Sequence, residues 1–200
     1  MRTYSKSSTL TSALTLFYRN LFYQIIDRYS PHVIRNVFFG HTHEDFNYIF
    51  YTNNGSVQDA AHALTPAWVG PSITPLTNLN SGYRMYVVDT GSWDVHEAYT
   101  FYADVNSFPT LDSSTGPTFR FEYSTRAAYG IDWPAEAPLN ATYWHLITEA
   151  METNMTMVEM QNAFQGKMSV KSPACNTTAC AKAKVCYMRS GSAPLGRACP

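Results

Sequence analysis

Apolar positions Leu14, Phe17, Leu21, Ile25 and Tyr29 recur in steps of three and four and predict an amphipathic helix over 14–29. Ser30-Pro31 ends it, because proline disfavours helical backbone in the residue before it. "VIRNVFF" then reads as a buried strand leading to Gly40. "NYIFYT" followed by Asn53-Asn54-Gly55 predicts a strand and a tight turn. Three prolines break "AHALTPAWVGPSITPL", which reads as a strand and then a long loop. "YRMYVVDT" and "EAYTFYADV" alternate as strands and are joined by "GSWDVH". The pattern changes near residue 104: "NSFPTLDSSTGP" has linker composition. After it, "EYSTRAAYG", "NATYWHLITEAMETN" and "MVEMQNAFQGKM" read as helices. There is no internal repeat. The expected division is 1–104, strand-rich, and 105–200, helical with a cysteine-containing tail.

Of 200 residues, 45% are hydrophobic, enough for a sizeable core, and 14% are charged, below the roughly 25% of ordinary soluble domains. The net charge of −1 and the lack of a Lys/Arg cluster argue against nucleic acid as a partner. The low charge and many Tyr, Thr, Ser and Asn fit a secreted, extracellular or lysosomal–vacuolar lumenal surface. N-glycosylation patterns at Asn54, Asn140, Asn154 and Asn176 point the same way. So does the grouping of all four cysteines, Cys175, Cys180, Cys186 and Cys199, in the last 26 residues. Three pairings are open to them, and a zinc knuckle is disfavoured because no C-x2-C pair occurs. No apolar run approaches the ~18 residues of a membrane span. The first twenty residues make a poor signal peptide, with a short, Thr/Ser-laced apolar part and no A-x-A site.

The candidate chemistry is in "NVFFGHTHEDF". In extended backbone, residues i and i+2 share a side, so His41 and His43 are expected to project together from a strand end. Gly40 leaves room for a close ligand. Two neutral imidazoles suit zinc, manganese or iron, but a full site takes three or more ligands. Glu44 and Asp45 follow directly and either orient an imidazole from behind or stand as solvated loop carboxylates.

"FFGHTHEDF" resembles the last metal motif of the calcineurin-like metallophosphoesterases. "GPSITPLTNLNSGYRMYVVD" narrows the resemblance to the acid sphingomyelinase branch, where a P-S-x-T segment precedes N-x-G-Y-R and a strand. The preceding helix, the "YTFYADV" strand and the four-cysteine tail fit as well, so the similarity runs from about residue 14 to the end. Ser81 stands where the family usually has proline.

The resemblance implies an α/β fold: the C-terminal half of a layered metallophosphoesterase sandwich, followed by a small helical, disulfide-stapled domain. It implies a zinc-dependent phosphodiesterase that cleaves sphingomyelin to ceramide and phosphocholine, with His41 on one zinc and His43 on the other. It implies the pairings Cys175–Cys180 and Cys186–Cys199. Tyr83 is expected either to hold a choline ammonium on its ring face or to be a core tyrosine at a strand start. The partner is a sphingomyelin-like phospholipid, met at a membrane surface without a spanning segment. The family's other ligands, in D-x-H, G-D, G-N-H and a lone G-H, do not occur upstream of His41. The chain is therefore expected to be the C-terminal portion of such an enzyme, inactive alone. Asp94-Val95-His96 is a D-x-H, but it lies downstream, where the family has sheet residues. The alternatives are a non-catalytic secreted fragment that binds lipid or a partner, and a related phosphatase acting on nucleotides or polyphosphate.

Overall fold

The computed structural model describes residues 21–76 and 78–200. Residues 21–29 form helix α1; 14–20 of the predicted helix lie outside the described residues. The buried face of α1 carries Tyr23 and Ile26, while Leu21, Ile25 and Tyr29 of the predicted stripe are 40%, 42% and 44% exposed. In "LFYQIIDRY" the apolar residues cover more than half of the helix circumference, with Gln24, Asp27 and Arg28 on the remainder, so steps of three and four fit more than one face. Tyr23 selects the face. Its hydroxyl donates to the Tyr51 carbonyl at 3.0 Å and accepts from the Tyr51 N–H at 2.8 Å.

The first sheet contains β1 (Val37–Phe39), β2 (Phe46–Tyr51) and β3 (Ala63–Val69) in the order β1-β3-β2, with β1 parallel and β2 antiparallel to β3. The expected buried strand "VIRNVFF" is instead a three-residue edge strand. It has one neighbour among the described residues, which leaves Phe38 54% and Phe39 38% exposed. After β2 the single turn α2 (Thr52–Gly55) places Asn53 and Asn54 at φ of 53° and 54°, a left-handed conformation that asparagine tolerates. Their N–H groups donate to the Asp27 carboxylate at 3.2 and 2.9 Å, tying the turn to α1. Pro66 sits in β3 opposite Ile49, one residue before the β1 ladder begins at Ala67.

The second sheet is antiparallel: β4 (Ser81–Val88), β5 (Val95–Ala103) and β6 (Arg120–Ser124), with β5 central. A 3-10 turn at Val105–Thr110 follows β5. The stretch 122–130, expected to be helical, divides into the end of β6 and the short helix α3 (Thr125–Tyr129). Alternating aromatic side chains in "RFEYS" favour a strand once β5 is there to pair with, from Tyr102↔Arg120 to Tyr99↔Ser124. A bulge opposite Thr100/Phe101 makes Glu122 the extra residue.

Helices α4 (Ala141–Thr153), α5 (Met155–Gln165), α6 (Thr178–Met188) and α7 (Ala193–Arg197) complete the chain. Each is capped by a side chain at its start, from Asn140, Asn154, Thr177 and Ser192 respectively. Trp144 of α4 packs edge-on against Trp68 of β3, with centroids 5.2 Å apart, and Trp68 meets Tyr86 of β4 at 5.5 Å. One buried cluster runs from Ile49 and Trp68 through Val95 and Tyr123 to Trp144, Ile147, Val185 and Met188. The strands before residue 104 and the helices after it thus share one core, and β6 completes a sheet begun on the other side of that division. The disulfides are Cys175–Cys180, at the entry to α6, and Cys186–Cys199, which ties α6 to the end of α7.

Candidate functional site

Residues Gly40 to Asp45 connect β1 to β2. His41 and His43 both have positive φ, 80° and 63°, and the Thr42 N–H bonds back to the Gly40 carbonyl at 3.1 Å. The segment is therefore a tight left-handed turn, and strand alternation does not govern where the two rings point. The strand stops at Phe39 because the chain must reverse within six residues to enter β2 antiparallel to β3. His41 is exposed and His43 half-buried. The Nδ1 of His43 is buried and has no hydrogen-bond partner.

The loop is held from beneath by the end of α5. Lys167 is fully buried and its Nζ donates to the His43 carbonyl oxygen at 2.6 Å. Gln165 Nε2 donates to Glu44 Oε1 at 3.0 Å, and the Asp45 N–H donates to the Gln165 carbonyl at 3.2 Å. Lys184 donates in turn to Gln165 Oε1 at 2.5 Å; burial pushes its ammonium down to about 8. Beside Glu44 opens a cleft of about 640 Å³, lined in part by Tyr48, Gln165, Lys184 and Tyr187.

Asp45 neither stands in solvent nor faces an imidazole. Its carboxylate is 3% exposed and accepts from the Arg84 guanidinium, from Thr100 Oγ1 at 3.0 Å and from the Tyr123 hydroxyl at 2.9 Å. Burial lowers the basicity of Arg84 and the adjacent Asp45 raises it, with the net shift upward. Glu122, at the bulge of β6, is half-buried, with both carboxyl oxygens buried and unpartnered. Burial first, and the Asp45 charge second, push it up to about 9, so it stays protonated at neutral pH.

Tyr83 is half-buried, stacked on Phe101 at 5.1 Å and 10°, with Phe119 tilted against it at 5.3 Å. Its ring is thus part of an aromatic cluster on the second sheet. Asp94 lies 4.0 Å from Arg35 and His96 lies just inside the central strand β5. His145 is a buried core histidine whose Nδ1 lies 2.8 Å from the Tyr51 hydroxyl, while His62 pairs with Asp59 at 2.6 Å. Of the glycosylation patterns, Asn54, Asn154 and Asn176 are exposed, whereas Asn140 is half-buried and caps α4.

The described residues include no group of three or more His, Cys, Asp or Glu side chains able to hold a metal. Two imidazoles on one loop, one with an unspent buried nitrogen, can serve as two ligands. They do not by themselves fit a zinc pair. Among the described residues no helix is long and apolar enough to cross a membrane.

Sequence reasoning missed Arg84, Tyr123, Glu122 and Lys167. The signal for Arg84 was a lone cation inside the apolar strand "GYRMYVV". Its alternation with Tyr83 and Met85 turns it inward, where only a carboxylate such as Asp45 can compensate it.

A mixed α/β protein with a braced two-histidine loop and a disulfide-bonded helical end is the class that these observations define. No protein-family model matches the chain. Over most of its length, however, it is similar to curated sphingomyelin phosphodiesterases. It is 27% identical to sphingomyelin phosphodiesterase 1 of Caenorhabditis elegans, over 90% of this chain and 29% of that protein. It is 29% identical to sphingomyelin phosphodiesterase of Homo sapiens, over 89% of this chain and 27% of that protein. It is 24% identical to sphingomyelin phosphodiesterase B of Dictyostelium discoideum, over 84% of this chain and 26% of that protein. The chain thus spans about a quarter of the length of the curated relatives it matches.

Proposed function

We propose that the chain serves metal-dependent phosphodiester hydrolysis, with sphingomyelin or a similar choline phospholipid as substrate and ceramide and phosphocholine as products. In this reading its two sheets form part of a layered metallophosphoesterase sandwich. His41 and His43 are two of the ligands of a zinc pair, and the remaining ligands come from outside the described residues. Zinc, when bound, would polarise a phosphoryl oxygen and activate water. The observation that carries the reading is the two-histidine loop, set on a braced turn in a chain similar along nearly its whole length to sphingomyelin phosphodiesterases. The chain alone is expected to be inactive. Two disulfides and three exposed glycosylation patterns support a secreted or lumenal location.

The test pairs zinc binding by the purified chain with phosphocholine release from sphingomyelin vesicles. Weak zinc binding that disappears in the double variant His41→Ala/His43→Ala, without turnover, is expected. Zinc binding that ignores both histidines would overturn the reading, and turnover by the chain alone would overturn its inactivity.

A second reading, non-catalytic binding at a lipid surface, has its own support. The outer face of the second sheet leaves Met85 56%, Val87 48% and Phe121 55% exposed. Zinc-independent sedimentation with sphingomyelin vesicles, lost on Phe121→Ser, would favour it.

A further inference from the structure

We infer that Lys167 is the positioning residue of the histidine loop: it fixes His43 in its left-handed backbone before any metal or substrate arrives. The inference rests on the reading that this loop is the functional site.

Lys167 is an expensive residue for a core. Burying an ammonium is costly unless it is compensated, and this one is fully buried, with the His43 carbonyl as its hydrogen-bond partner at 2.6 Å and the Asp45, Glu122 and Glu44 side chains near enough to favour its charge. A surface loop whose position did not matter would need no such brace. The bond falls on the carbonyl of a non-glycine residue at φ 63°, a sparsely populated conformation that persists only where the surroundings impose it. Holding that peptide plane fixes ψ of His43, and with φ it sets where the Cβ and imidazole start from.

The brace is itself immobilised. Lys167 and Met168 are also left-handed, at φ 54° and 56°, and their N–H groups bond to the carbonyls of Phe164 and Ala163 at 2.8 and 2.9 Å. The Asn80 side chain donates to the Lys167 carbonyl at 2.9 Å, and the Asn80 N–H to that of Gly166 at 3.2 Å. The lysine stem passes over Gly82, where a Cβ would overlap the Lys167 Cδ and lie 2.9 Å from the Phe101 carbonyl oxygen. Glycine at 82 therefore opens the route by which the ammonium reaches the loop. With Gln165 holding Glu44 and Asp45, residues 43, 44 and 45 are all anchored to one turn.

The test uses the full 200-residue chain without metal or substrate, comparing wild type with Lys167→Met, which keeps the stem and removes the ammonium. The hydrogen-bonded Asp45 amide is expected to exchange about tenfold faster and the His43 ring resonances to shift, while amide protection in β2 and β3 holds. An unchanged Asp45 amide and unchanged ring signals would overturn the inference. If Lys167→Met fails to fold, Lys167→Gln, shorter but still a donor, is read by the same signals. A local change then supports the positioning role; unchanged signals or a second global loss overturn it. None of these readouts needs zinc or substrate. Failure of the hydrolase reading would therefore leave them intact, and histidine-dependent zinc binding with an unmoved loop in Lys167→Met would overturn the role of Lys167 alone.

Discussion

Asp45 and Arg84, 39 residues apart in sequence, meet as a buried ion pair with both side chains 3% exposed. The guanidinium also lies 5.8–5.9 Å from the ring centroids of Trp68, Tyr86 and Tyr123, so the pair joins the strand after the histidine loop to the second sheet. Removing one partner leaves the other charge buried and uncompensated. Arg84→Met or Asp45→Asn is therefore expected to cost about 3–5 kcal/mol in urea unfolding. Replacing both with apolar residues should cost clearly less than the sum of the two single changes, which a double-mutant cycle would show.

Glu122 gives a pH dependence of opposite sign to that of an ordinary ion-paired carboxylate. Its folded value, about 9, lies above the ordinary 4.5, so the folded chain keeps a proton that the unfolded chain releases. The stability it contributes is complete below about 4.5 and falls as pH rises toward 9, at up to about 1.4 kcal/mol per pH unit. Lys184, with a folded value of about 8, adds a rising contribution only above that pH. Between pH 6.5 and 8, Glu122→Gln should flatten the decline and become progressively more stable than wild type. Denaturant midpoints across that window decide it, and parallel curves would refute the assignment.

The distribution of what the sequence discloses follows from how far apart the interacting residues are. Local patterns were legible: the β2 strand with its Asn-Asn-Gly turn, the β4–β5 hairpin, and helices over 141–165 each rest on neighbours in the chain. The face of α1 was not, because Tyr23 is chosen by a backbone group 28 residues away. Nor was β6, since only pairing with β5 makes "RFEYS" a strand. At the candidate site the histidines announce themselves by type and spacing, but their left-handed backbone and the Lys167 brace do not. The brace spans 124 residues and shows in the sequence only as a lysine after Gly166.

His145 predicts sensitivity to mild acid. Burial first, then the nearby Arg189 charge, depress its basicity against the opposing pull of Glu149, and its Nδ1 meets the Tyr51 hydroxyl at 2.8 Å. A histidine with a lowered folded value contributes stability that is present above its ordinary 6.5 and is lost as pH falls below it, because the unfolded chain takes up the proton first. His145→Gln should lose about 1–2 kcal/mol at pH 7 from the disturbed buried hydrogen bond, yet decline less steeply than wild type between pH 6.5 and 5. Equal slopes in thermal melts over that range would remove His145 as the acid-sensitive group.

The two disulfides should differ in weight because they close loops of different length. Loop entropy assigns about 2 kcal/mol to Cys175–Cys180, with a separation of 5, and about 3 kcal/mol to Cys186–Cys199, with a separation of 13. For a chain of this size each kcal/mol moves the melting midpoint by about 2–4 °C. Replacing Cys186 and Cys199 with serine should therefore lower it by about 6–12 °C, and replacing Cys175 and Cys180 by about 4–8 °C. The smaller loop has a second effect. Pro173, two residues before Cys175, accepts from the Asn162 side chain, and Ser172 donates to the Asn78 carbonyl. Opening Cys175–Cys180 should thus loosen the strap that runs past the end of α5, and amide exchange at 165–168 should rise in that variant but not in the Cys186/Cys199 variant. Equal exchange in the two variants would show that the strap holds without its staple.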